Sequence, residues 1–178
     1  PPPAPAPVAR SWFERIELGL GLGAFGELFP YSSVNVPGSS RRQVSLLGGV
    51  RFWIGAHLPE RVRLMGLIQL GYASAGRGPG NGSQGGMEGA GLEVALEYFK
   101  LVKPLVRFTY NALVFPISTS PEGTLANSAF GVAAGVRVSI FELHLSVGRD
   151  FAGGISPGLG LGVAWRSCAN PRPCSRNT

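Results

Sequence analysis

Apolar residues recur at every second position through most of this chain, in about eight separate segments, and the positions between them hold Gly, Ser, Gln, Glu and Arg. Residues 16–24 show the pattern: Ile16, Leu18, Leu20, Leu22 and Ala24 lie on one face of an extended chain, with Glu17, Gly19, Gly21 and Gly23 on the other. A period of two is that of a β-strand. The segments fall at about 12–25, 43–54, 61–73, 87–98, 105–115, 129–138, 141–149 and 158–165. Long loops after the first, third and fifth alternate with short turns after the second, fourth and sixth. This asymmetry is expected of extracellular loops against periplasmic turns, and it predicts an all-β fold: a closed, up-and-down antiparallel transmembrane β-barrel with its apolar side facing lipid.

Aromatic residues gather near the strand ends. Trp12, Phe13, Phe52, Trp53, Tyr98, Phe99, Phe141 and Trp165 belong to the expected periplasmic end, and Phe25, Tyr31, Tyr72, Phe115, Phe130 and Phe151 to the other. Together they predict a girdle at each interface.

A chain of 178 residues accommodates one such domain. No run of about 18 apolar residues is present, so any crossing of a membrane is by strands. The formal charge of +6 is spread singly along the chain, without the basic stripe that marks nucleic-acid binding. Arg41, Arg42 and Arg77 lie in or beside the expected outer loops, where they would meet the phosphates of lipopolysaccharide. Residues 1–10 read as a Pro-rich periplasmic leader whose Pro/Ala run lacks the apolar core of a signal peptide; residues 11–166 read as the barrel; residues 167–178 read as a periplasmic tail. Cys168 and Cys174 in that tail suggest a local disulfide in an oxidising compartment, since too few ligands surround them for zinc. No cofactor or metal is expected.

The face opposite the apolar one carries the chemistry. Glu17, Glu93, Glu97 and Glu142 share its parity with Arg15, Arg51, Arg63, Arg107 and Arg137, and acids and bases confined in a narrow lumen should pair. An eight-stranded barrel is just wide enough for side chains to fill, so plugging is expected in place of an ion path. Glu142, His144 and Ser146 lie on one strand face, directed into the lumen and away from lipid. Gly21 to Gly26 fits G-x-G-x-x-G but has no helix after it, so the dinucleotide reading fails. His57 is expected in a solvated turn, and Glu88 and Arg149 interrupt the apolar face near its loop side.

The alternating strands, and Gly-Leu-Gly-Leu-Gly-Val-Ala-Trp at 158–165, resemble the strands and final signal of small bacterial outer-membrane barrels of the OmpA/OmpX or opacity type. The likeness covers roughly residues 11–166 and is architectural; it departs at the tail continuing past Trp165. It implies a bacterial outer-membrane location with both termini periplasmic. It also implies a non-enzymatic role as envelope anchor or surface-interaction component of a larger assembly, with a periplasmic or envelope protein held through residues 1–10 and 167–178. The His-x-Ser spacing of His144 and Ser146 is similar to that of outer-membrane lipid A deacylases, which implies an alternative: a lipid A hydrolase with His144 as base and Ser146 as nucleophile.

Overall fold

The computed structural model describes residues 16–34, 42–58, 61–75, 83–99, 101–115, 124–150 and 155–168. They form eight strands: β1 (Glu17–Val34), β2 (Arg42–Leu58), β3 (Val62–Ala75), β4 (Ser83–Leu96), β5 (Val102–Phe115), β6 (Thr124–Val138), β7 (Phe141–Asp150) and β8 (Ile155–Cys168). Each strand pairs antiparallel with the next, and β1 closes the barrel on β8. Followed strand by strand, the row through Leu18, Ala56, Leu64, Val94, Val106, Ala134, Leu145 and Leu159 returns to β1 at Leu28, a stagger of ten residues. With eight strands, that stagger corresponds to a tilt of about 40° and a backbone diameter of about 16 Å. Side chains from opposite walls meet in a space of that width.

The two faces are sorted as the alternation requires, inside out relative to a water-soluble protein. Leu20, Leu92 and Val132 point outward and are 59%, 55% and 45% exposed, whereas Glu93 and Arg107 point inward and are 0% and 1% exposed. Outward apolar residues can stay exposed at equilibrium only if the surrounding medium is itself apolar, and along the span where all eight strands pair the closed wall leaves no strand edge facing it. Exposed Tyr98, Phe99, Phe141 and Trp165 lie toward one end and Tyr72, Tyr110 and Phe130 toward the other, with Tyr110 and Phe130 in ring contact at 5.3 Å; Phe52, paired with Ile68 midway along β3, lies mid-wall, a correction to the girdle expected for it.

Two further members of the expected girdles are corrected. Trp53 and Phe25 share the parity of Arg51 and Gly23, point into the lumen, and are 3% and 7% exposed. Nearness to a strand end suggested the girdle, but the side-chain direction of a strand residue follows parity. Trp12, Phe13 and Phe151 lie outside the described residues, as do the side chains of Tyr31 and Phe115. The interior also takes apolar filling: Leu47, Met65, Leu67, Leu105 and Leu113 are buried beside the charges.

The strands run further than the alternation alone suggests. β1 continues through Pro30 to Val34, with register irregularities between Leu28 and Tyr31 and between Tyr31 and Val34. Proline cannot donate to the ladder, which makes an irregularity in pairing its natural place in a strand. Ser74, Ala75 and residues 83–86, expected in a loop, belong to the β3–β4 ladder, and Pro104 lies within β5. β8 carries past Trp165 to Cys168, which pairs with Gly19, so the strand takes in residues assigned to the tail. At about 3.4 Å per residue and that tilt, the 18 residues of β1 rise about 45 Å, against an apolar band about 25 Å tall. The β1–β2 ribbon therefore stands clear of hydrocarbon at its Val34–Arg42 end.

The start of β1 and the end of β8 share one mouth of the barrel with the connections at 59–61, 97–101 and 139–140. The ends of β1 at Val34, β3 at Ala75, β5 at Phe115 and β7 at Asp150 lie at the opposite mouth. The β6–β7 turn is a two-residue hairpin in which Ser139 has φ 55°. A positive φ at the first central position is the pattern of a type II′ turn, which favours glycine. Ser139→Gly is expected to stabilise the barrel by about 0.5 to 1 kcal/mol, read as a later midpoint in urea unfolding.

Candidate functional site

The lumen holds an ion-pair network built from β1, β2, β4, β5, β6 and β7, which β3 joins through Gln69. Glu93 on β4 and Arg107 on β5 are register partners, as are Arg137 on β6 and Glu142 on β7. Arg107 Nη2 donates to Glu93 Oε2 at 2.7 Å and to Glu142 Oε1 at 2.6 Å, and so ties the two pairs together across the lumen. Arg137 Nη2 donates to Glu142 Oε2 at 2.6 Å and approaches Glu93 Oε1 at 3.3 Å. Trp53 Nε1 donates to Glu93 Oε2 at 3.2 Å. Arg51 lies 3.8 Å over the Phe25 ring, donates through Nε to Gln69 at 2.9 Å, and comes within 3.5 Å of Glu142. Gln69 in turn donates to Asn111.

His144 completes the centre. Its Nε2 donates to Glu27 Oε1 at 2.6 Å, and its Nδ1 lies 3.2 Å from Glu142 Oε1. The reach to Glu27 crosses a whole strand. His144 on β7 pairs with Gly160 on β8, which pairs with Glu27 on β1, so the three form one row. A Cβ on Gly160 would lie 2.0 Å from His144 Nε2. The glycine is what opens the path between the two partners. Gly89 does the same between Gln69 and Asn111, where a Cβ would meet Asn111 Oδ1 at 2.2 Å. Gly160→Ala is expected to swing the imidazole off Glu27 and destabilise the barrel by about 1 to 3 kcal/mol, since a buried charged acceptor loses its donor. An imidazole NMR resonance that keeps its wild-type shift in this variant would contradict it.

A second cluster occupies the mouth where β1 begins. Glu97, directly after β4, is shared by Arg63, by His57 Nδ1 at 3.4 Å and by Lys103 Nζ at 3.8 Å. His57 is therefore corrected from a solvated turn to a part-buried position within β2, opposite Arg63.

Of the residues expected in the lumen network, Arg51, Arg63, Glu93, Glu97, Arg107, Arg137 and Glu142 are brought together as charge partners. The backbone of Glu17 lies in β1; its side chain, Arg15 and Cys174 fall outside the described residues, as does the side chain of Cys168. Glu27 was missed because β1 was ended at Phe25, although the same odd parity continues through it.

His144 and Ser146 are both inward, 1% and 8% exposed. Ser146 Oγ and His144 Nδ1 have no hydrogen-bond partner among the described residues, and His144 Nε2 is bonded to Glu27, so the serine is not hydrogen-bonded to the imidazole. A concavity of about 520 Å³ between Ala24, Phe141, Leu143 and Leu161 lies on the outer, hydrocarbon-facing wall and carries no catalytic constellation. Among the described residues no three His, Cys, Asp or Glu side chains are grouped to hold a metal ion.

No family model and no curated protein sequence matches the chain. Among solved structures it is similar to Ail, the attachment invasion locus protein of Yersinia pestis, with 12% identity over 85% of this chain and 98% of that one, at a TM-score of 0.49. Ail in complex with the heparin analogue sucrose octasulfate aligns at 10% identity, over 85% and 99% of the two chains, with a TM-score of 0.47. Neisserial surface protein A, NspA, aligns at 14% identity, over 83% and 95%, with a TM-score of 0.48. The closed eight-stranded wall with its outward apolar belt is the architecture of a small transmembrane β-barrel.

Proposed function

We propose that this protein is a non-enzymatic barrel of the bacterial outer membrane that works through its two ends, by surface contact and by anchoring an envelope assembly. The observation that carries the reading is the filled lumen. With Glu93, Arg107, Arg137, Glu142 and His144 tied across a bore about 16 Å between backbones, neither an ion path nor a substrate channel remains. What is left to act is the ribbon beyond the apolar belt at one mouth and the termini at the other.

In this reading both termini are periplasmic, because short connections share their mouth and short turns are the periplasmic signature. The opposite mouth, with Arg41, Arg42 and Arg77 in its chain segments, faces lipopolysaccharide phosphates. Residues 1–10 and 167–178 hold a periplasmic or envelope protein, and a Cys168–Cys174 disulfide fastens the tail. The test is a pull-down from solubilised envelopes with the full chain and with a chain lacking residues 1–9. Loss of a partner on truncation supports the reading; equal recovery contradicts it. In planar bilayers the protein is expected to show no stable single-channel current, and size-selective conductance would overturn the plugged lumen.

A further inference from the structure

The rim of the wall is uneven at the mouth where β1 starts and β8 ends. β6 and β7 turn there at 139–140, and the last pair between β7 and β8 is Phe141 with Val163. β8 runs on to Cys168, and among the described residues Trp165–Cys168 pair with β1 alone. One backbone bond marks the direction of the open side: Ala164 N donates to Ile140 O at 2.8 Å. Hydrogen-bonding groups alternate sides along a strand, so Arg166 and Cys168 turn their N–H and C=O groups to that same side, beyond the start of β7.

That edge lies at the level of the apolar belt. Ser167 pairs with Leu20, which is outward and 59% exposed, and Leu18, the next outward position toward the mouth, is 66% exposed. Backbone groups left open beside hydrocarbon are costly. A second copy of the chain cannot cover them by antiparallel pairing of like edges, because the two-fold axis required lies across the strands and would invert one barrel in the membrane. A segment that turns back from the end of β8 is antiparallel to it of necessity.

The sequence after Cys168 has the parts for such a turn. Asn170 and Pro171 suit the first two positions of a type I turn, and Ala169 to Pro173 make a loop of five residues, a usual hairpin length. This sets Cys174 opposite Cys168 as a hydrogen-bonded pair, whose Cα separation of about 5.5 Å lies in the range a disulfide spans. Arg176 then meets Arg166 through the backbone, and both prolines fall in the loop, where no ladder donor is needed.

We propose that residues 169–178, outside the described residues, fold back on β8 as a short ninth strand that covers the Arg166–Cys168 edge and is locked by a Cys168–Cys174 disulfide. The bond forms by exchange: the two thiols give up two protons and two electrons to a protein disulfide of the periplasm, which leaves as a dithiol. The inference rests on the function proposed above only in taking this mouth as periplasmic.

The experiment uses the full chain exported to the outer membrane, extracted in detergent and read by NMR amide exchange. Slow exchange is expected at Arg166 and Cys168, with an Hα–Hα contact between Ser167 and Ser175, the non-hydrogen-bonded pair of this register. In Cys174→Ser, and in a chain ending at Ala169, exchange at those two amides should quicken by about tenfold or more, while Trp165 and Ser167, turned toward β1, keep their wild-type rates. The intact chain should be lighter by two hydrogens than after reduction. Fast exchange at Arg166 and Cys168 in the wild type, or slow exchange that survives in the shortened chain, would overturn the ninth strand. Partner recovery in the pull-down is a separate readout, lost or kept whichever way these amides exchange.

Discussion

Arg107→Met is expected to destabilise the barrel by about 3 to 5 kcal/mol, the range for removing one partner of a buried ion pair. Methionine has similar length and fills the same space without charge, so the loss is electrostatic and not a matter of packing. Arg107 is 1% exposed, and its Nη2 holds both Glu93 and Glu142, which are 0% and 4% exposed. Without it, two carboxylates face each other across a low-dielectric bore with Arg137 as their nearest remaining shared cation. Adding Glu142→Gln should recover part of the loss, because it removes the charge left uncompensated. Urea unfolding in detergent or lipid, read by the fluorescence of Trp53 and the other tryptophans, supplies the cycle. A single variant as stable as wild type would mean that Arg107 is solvated in the folded protein.

Leu92→Arg, on the opposite face, should cost about 2 to 4 kcal/mol, the range for arginine near the bilayer midplane of such barrels. Leu92 is 55% exposed and pairs with Gly66 and Phe108, about halfway up the apolar belt. In water the substitution would be harmless, since an exposed leucine has little to lose. Tyr98→Arg, at the rim, is the control and should change stability by about 0 to 1 kcal/mol. The contrast separates depth in a membrane from any general intolerance of charge. Vesicle-folded protein is the sample; equal effects at both positions would place Leu92 in water.

The alternation made the fold readable before any coordinates, because side-chain direction in a strand follows parity with no help from tertiary structure. That is why Arg51, Glu93, Arg107, Arg137 and Glu142 could be placed in the lumen, and why Leu20 and Val132 could be placed outside it. Strand ends were less legible. Pro30 and the Gly- and Ser-rich stretch at 83–86 look like loop chemistry, yet ladder pairing with a neighbouring strand carries both into the wall. Two errors came from letting position along the strand override parity: Trp53 and Phe25 were given to the interface although they share the face of Arg51 and Gly23. Ending β1 early hid Glu27, and with it the partner of His144.

What no pattern along one strand can reveal is the stagger between strands. The row from His144 through Gly160 to Glu27 depends on two registers at once, and only those registers show that a glycine on β8 separates the bonded pair. Ser146 illustrates the same limit. Its spacing from His144 suggested a nucleophile and base, whereas the closure of β1 on β8 gives the imidazole to Glu27.

The most direct test of this account is which face of the wall touches hydrocarbon. In a background with Cys168 and Cys174 replaced by serine, single spin labels are placed in turn at Val50, Phe52, Ile54, Ile68, Leu92 and Val132, and at the inward positions Met65, Leu67, Ala95 and Ala133. Collision rates with oxygen and with a water-soluble nickel chelate are then measured in lipid vesicles. The account predicts high oxygen and negligible nickel access at the first set, with low access to both at the second. Nickel access at Phe52, Leu92 and Val132, with oxygen confined to the inward set, would contradict it.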